Sequence, residues 1–174
     1  MVAFRRPRSL KDLLVRARDP LPADHNPNKE PIGFHPCKSK KCMLHKYITE
    51  TDKFISTQTK QEFPITTHIN CKSSWLIYLI TCSLCGKQYI GKTETTLYTR
   101  FSNTKSEIIN FNNDHAKRLP YTLHFNSEHH TIDHVRISGI EKISKHSRNT
   151  ILHKGSFWIN KLKTLQPHEI NIEQ

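Results

Sequence analysis

Leu76-Ile77-Tyr78-Leu-Ile-Thr-Cys82-Ser-Leu-Cys85-Gly86-Lys-Gln-Tyr89-Ile90-Gly91 decides the fold of this chain. Trp75 to Ile80 is an aromatic and β-branched run ending at Thr81 and Cys82, and Lys87 to Ile90 is a second short run closed by Gly91. Both read as strands. The tight Ser83-Leu84 between the cysteines, with Gly86 just after, makes a turn able to bring two thiolates onto one metal ion. From Thr93 the period changes: Leu97, Arg100 and Phe101 fall at i, i+3 and i+4, and Thr93 followed by Glu94 reads as a helix start. Arg100 then lies on an amphipathic helix close to the sheet it packs against.

Composition bounds what surrounds this hairpin. At 174 residues and 35% hydrophobic content, one compact core is expected, preceded by a loosely folded arm. A formal charge of +12 favours a polyanionic partner, DNA in particular, although a merely basic soluble protein would carry the same charge. No apolar run approaches membrane-spanning length, and Met1 to Leu14 is too charged for a secretory signal. An intracellular, nuclear protein with no membrane partner is expected.

The five cysteines cannot all close into disulfides, and the twelve histidines offer other partners for them. Cys37-x4-Cys42-x2-His45 has metal-ligand spacing, with Cys71, or less readily His68, as its fourth ligand. Cys82-x2-Cys85 needs two more, which His124-x5-His130 supplies. All five cysteines are then used in two tetrahedral Zn²⁺ sites.

Along the rest of the chain, Leu10, Leu13, Leu14 and Ala17 share one helical face between Ser9 and Pro20. Arg5, Arg6, Arg8, Arg16 and Arg18 surround that helix, as a phosphate-binding or nuclear-import cluster or a solvated basic face. Arg5, Arg6, Arg8 and, past the hairpin, Lys92 are the expected DNA contacts. Pro20 to Pro36 reads as a linker, Tyr47 to Ile69 as a loop or weak hairpin, and the Asn-rich Asn103 to Leu119 as a surface excursion. His134 to Ile140 alternates as a half-buried strand. From Arg148 onward Ile151, Leu152, Trp158, Ile159, Leu162 and Leu165 recur at helical spacing until Pro167. The fold class that follows is α+β: a small three-stranded antiparallel sheet flanked by helices, carrying an N-terminal zinc-binding arm. The expected division is residues 1–72 for the arm and 73–174 for the sheet domain.

The order of Arg-rich arm, Cys-x4-Cys-x2-His, Cys71-Lys-Ser-Ser, the Cys-x2-Cys hairpin, His124-Phe-Asn-Ser-x2-His130 and Phe157-Trp158-Ile-x2-Leu-x-Thr-Leu-x-Pro resembles the endonuclease region of Penelope-like retroelements. That region has the GIY-YIG fold, whose two tripeptides would read Leu76-Ile77-Tyr78 and Tyr89-Ile90-Gly91 here. The likeness covers nearly the whole chain. It implies a detached C-terminal endonuclease region, either an element fragment or a host-retained gene, since the reverse transcriptase that precedes it in the family is not in this sequence. It also implies catalytic roles for Tyr78 and Tyr89, one helping to deprotonate the attacking water, for Arg100 on the scissile phosphate, and for Asn171 at the end of the pattern.

Two positions depart from the family. Its metal-binding glutamate, one turn before Trp158-Ile159, is Gly155, and the histidine four residues after the arginine is Thr104. Glycine offers no oxygen to the Mg²⁺ or Mn²⁺ that an active enzyme would use; Glu141 or Glu169 would have to substitute. The expectation is a DNA nickase impaired at Gly155. The alternative is a non-catalytic, zinc-stabilised module for binding DNA or protein.

Overall fold

A computed structural model describes residues 30–112, 114–144 and 147–172. The helix expected between Ser9 and Pro20, and Arg5, Arg6 and Arg8, lie outside the described residues. Contacts divide the chain into two units, Met1–Pro31 and Ile32–Gln174. Residues 32–72, expected within a separate arm, therefore belong to the same unit as the sheet.

Strands β1 (Gly33–His35), β2 (Lys53–Ile55), β3 (Glu62–Pro64), β4 (His68–Asn70), β5 (Leu76–Cys82), β6 (Gln88–Thr93) and β7 (Val135–Lys142) accompany helices α1 (Leu97–Ile109), α2 (Pro120–Phe125) and α3 (Arg148–Leu162). The class is mixed α+β, and the expected three-stranded antiparallel sheet is present in the order β6-β5-β7. β1 pairs parallel with β4, and β2 antiparallel with β3, as two small ribbons.

β5 is buried along nearly its whole length because it is central and covered on both faces. Tyr78 pairs with Gly91 and Ile80 with Tyr89, so Tyr78 and Tyr89 share one face; Ile77 and Lys92 pair on the other. On the tyrosine face α1 contributes Leu97, Phe101 and Ile108, with Tyr47 against Phe101 at 4.8 Å between ring centroids. On the opposite face lies α3, whose Trp158 is boxed by Phe54 and Phe63 of the β2–β3 hairpin at 5.1 and 5.5 Å.

Four local expectations need correction. Gly33–His35 is a strand rather than linker, because Phe34 is fully buried and its neighbours pair with β4. The supposed excursion from Asn103 is helical to Ile109: Thr104 and Ile108 continue the buried stripe of Leu97 and Phe101, which the polar composition masked. Helix α1 starts at the cap Thr96, whose hydroxyl accepts from the Thr99 N–H at 3.1 Å, while Thr93 stays in β6. Helix α3 stops at Leu162 with Lys163 left-handed, so Leu165 lies beyond it and bridges to Asn171.

The last described segment braces the sheet edge. Edge strands leave alternate backbone groups unpaired, and here Ile170 N–H donates to the Gln88 carbonyl at 3.1 Å. Glu169 accepts from the Gln88 N–H, and Asn171 takes both polar groups of Ile90.

Candidate functional site

The hairpin tip and the chain before β5 build two four-residue clusters. Cys37, Cys42, His45 and Cys71 form one; Cys82, Cys85, His124 and His130 form the other; within each, all ligand atoms lie within 4.8 Å of one another. A Zn–S bond of about 2.3 Å places tetrahedral ligands roughly 3.8 Å apart. Cys37 Sγ to His45 Nε2 at 3.4 Å and Cys85 Sγ to His124 Nε2 at 3.5 Å match that spacing.

His130 supplies an independent test of fit. Its Nδ1 lies 2.9 Å from the Glu128 carbonyl, which sets that nitrogen as the donor, while its buried Nε2 has no hydrogen-bond partner among the described residues. A buried imidazole nitrogen left unpaired costs free energy unless an ion takes its lone pair. Burial, then His130 and Lys87, bring His124 down to about 4, so its ring is neutral and can offer a lone pair to an ion.

The thiols show the same logic. Burial pushes Cys71 up to about 12 and raises Cys82, so without an ion these buried thiols stay protonated. Cys37 moves the other way: burial pushes it up, but hydrogen bonds from the Ser39 backbone, His45 and Cys42 outweigh this and bring it to about 7. Cys71 resolves the open alternative, because His68 is stacked on His35 with centroids 5.6 Å apart.

A cavity of about 390 Å³ opens where β6 meets α1, α2 and α3, and Tyr78, Tyr89, Lys92, Arg100, Gly155 and Asn171 line it together with Arg118. Gly91 also lines it and is buried, with the Tyr78 ring lying across its backbone; any Cβ there would overlap the ring. Arg100 is clamped from two sides. Its Nε donates to the Tyr78 hydroxyl at 2.9 Å and its Nη2 to the Tyr121 hydroxyl at 3.1 Å. Tyr121 in turn donates to the Glu107 carboxylate and packs edge-on against Tyr89 at 5.1 Å. Burial opposes the guanidinium charge, but Tyr78, Tyr121 and Glu107 more than offset it, so Arg100 stays cationic.

Burial raises the phenols of Tyr78, Tyr89 and Tyr121 above the ordinary tyrosine range, and Arg100 pulls each down only in part. They are neutral at physiological pH. Asn171 lines the cavity, yet both ends of its amide are held by Ile90, at 2.8 Å to the N–H and 2.9 Å to the carbonyl. Its observed work is to position the edge strand.

Neither candidate carboxylate reaches the cavity. Glu141 accepts from the Trp158 indole N–H at 2.5 Å and pairs with Lys154 at 2.8 Å. Glu169 is buried and accepts from Thr57 at 2.7 Å and Gln58 at 2.8 Å. Among the described residues no carboxylate lines this cavity. Gly155 is not there for want of space: an added Cβ would sit 3.5 Å from Lys92 Cδ and 4.0 Å from Ile77 Cδ1, ordinary van der Waals contact. Thr104 is fully buried one turn beyond Arg100, packed into the core rather than presented to the cavity.

Tyr121, Glu107 and Arg118 are the site residues that sequence reasoning missed. Glu107 had a signal, since it stands at i+7 from Arg100 and so on the same helical stripe. Pro120 at the first turn of α2 marks a helix start, and Tyr121 follows it. Nothing local distinguishes Arg118. Among the described residues no helix is long and apolar enough to cross a membrane. No protein-family model, curated protein or solved structure matches the chain.

Proposed function

We propose that the chain is a GIY-YIG-type DNA endonuclease module of the Penelope-like class that keeps its grip on DNA and has lost efficient hydrolysis. The observation that carries this reading is the cavity where Arg100, fixed by Tyr78 and Tyr121, faces Lys92 and Gly155 with no carboxylate in the lining. A fixed guanidinium beside a second cation in a partly buried cavity is suited to a phosphodiester and to the extra charge of its transition state.

The hydrolytic step lacks support on two counts. Mg²⁺ and Mn²⁺ require oxygen ligands, and the lining provides no carboxylate, so the residues present do not fit such an ion. The phenols of Tyr78 and Tyr89, raised by burial, are poor acceptors for a proton from water at neutral pH. Zn²⁺ in the two Cys/His clusters is structural on this reading. One ion would tie residues 37–45 to the end of β4, and the other would tie the β5–β6 tip to α2.

Two assays test the reading. Supercoiled plasmid incubated with Mg²⁺ or Mn²⁺ is expected to remain unnicked, while gel-shift titrations give DNA affinity that falls steeply with salt. Efficient nicking abolished by Arg100→Ala would make the chain an active nuclease, and affinity insensitive to salt would favour a protein-interaction module.

A further inference from the structure

We infer that the cavity at Arg100 is one half of a trench that holds a single DNA strand by three cationic stations: Arg118, Arg100 with Lys92, and Arg148. The inference rests on the DNA-binding reading above and adds the path of the strand. A second cavity of about 540 Å³ adjoins the first, of about 390 Å³, and both are lined by Lys92 and Arg100. Arg118 lines only the first and Arg148 only the second, which places the shared pair between them.

The trench follows the β6 edge between α1 and α3. Cavities of about 300 to 1,000 Å³ hold ligands of drug size, so each lobe admits a nucleotide-sized length of backbone and not a duplex. Each lobe also has an exposed apolar side chain, Ile172 in the first and Leu152 in the second, against which a sugar or base can rest. Arg118 is exposed and has no ion-pair partner among the described residues. Arg148 does have one. Its Nε donates to Glu94 at 3.1 Å, and Glu94 is the carboxylate in the second lobe's described lining. The side chains of Arg148 and Glu94 are 81% and 40% exposed, so a phosphate can reach Arg148 and displace Glu94. Glu94 is thus an internal competitor that weakens binding at one end of the trench.

The test is a fluorescence-anisotropy titration of the full chain against a labelled single-stranded oligonucleotide of about twenty nucleotides, repeated across salt concentrations. Each neutralised phosphate contributes a slope of roughly 0.7 in log affinity against log salt for single strands. Arg118→Ala and Arg148→Ala are each expected to reduce the slope by about 0.7, and the double variant by about 1.4. Glu94→Gln is expected to tighten binding at low salt. Lys46→Ala, which removes an exposed cation held 2.7 Å from Asp133 outside both lobes, should leave the slope unchanged. Unchanged slopes in both arginine variants, or an equal loss in Lys46→Ala, overturn the trench while leaving DNA binding intact. A wild-type chain with no salt-dependent binding overturns the DNA reading and the trench together.

Discussion

Asn171 holds Ile90 by both backbone groups, accepting from its N–H at 2.8 Å and donating to its carbonyl at 2.9 Å. A side-chain amide thereby takes the place of a neighbouring strand on the open edge of β6. Asn171→Ala leaves two buried backbone groups without partners, a loss of about 1–3 kcal/mol for each. The denaturation midpoint of the zinc-loaded protein should fall accordingly, while DNA affinity per folded molecule changes little. A large affinity loss at unchanged stability would instead give Asn171 a direct role on the ligand.

Gly91 and Tyr78 set a stricter condition. The ring cannot move away from a methyl group at 91, because it is fully buried and tied to Arg100. Gly91→Ala should destabilise by about 1–3 kcal/mol, as overpacking of a core does. It should also weaken DNA binding through the displaced guanidinium. A variant as stable as the parent would show that the ring has room to shift.

Metal content separates the two clusters. Atomic absorption on the intact protein should give two Zn²⁺ per chain, with Cys71→Ser and His130→Ala each removing one and leaving the other. Because ligation contributes directly to folding in sites of this kind, chelation should lower the thermal midpoint. One ion or none in the parent protein would count against the paired assignment.

Gly155→Glu is the direct test of the missing carboxylate. The position accepts a side chain at ordinary contact distance, and replacing a helical glycine removes a cost of about 1 kcal/mol relative to alanine. The variant should therefore fold at least as well and acquire Mn²⁺-dependent nicking of supercoiled plasmid. Lys92 lies beside the new carboxylate and competes with the metal for it. No nicking at any Mn²⁺ concentration, with zinc and DNA binding intact, would remove Gly155 as the cause of the impairment we propose.

The buried phenols predict an alkaline limit. Tyr78, Tyr89 and Tyr121 have folded-state values raised by burial above the unfolded value of about 10. The native state therefore prefers them protonated. Their contribution to stability is complete below about pH 10 and is lost above it, as the unfolded phenols ionise. Phenolate absorbance from three of the five tyrosines should appear only together with loss of structure. Ionisation of all five in one step near pH 10, with the fold retained, would contradict this.

The parts legible in the sequence were those set by short-range pattern. The β5–β6 hairpin announced itself through two β-branched runs around a Cys-x2-Cys turn, and both metal clusters through ligand spacing. The parts misread were those in which a distant partner overrode local composition. Gly33–His35 reads as linker by composition but pairs with β4, and the polar segment from Asn103 reads as loop but is helical to Ile109, with Thr104 and Ile108 buried by residues distant in sequence.

Sequence alone determined the ligand types, the tyrosine and arginine positions and the absence of a carboxylate at residue 155, because these are matters of residue identity and order. Tertiary structure alone decided which groups meet. Cys71 rather than His68 closes the first cluster, Tyr121 joins Arg100 from 21 positions away, and Glu141 and Glu169 are bound elsewhere. The reason is physical: an ion, a guanidinium or a carboxylate is satisfied by whatever the packed chain brings within hydrogen-bonding or coordination distance, and separation along the sequence does not enter that distance.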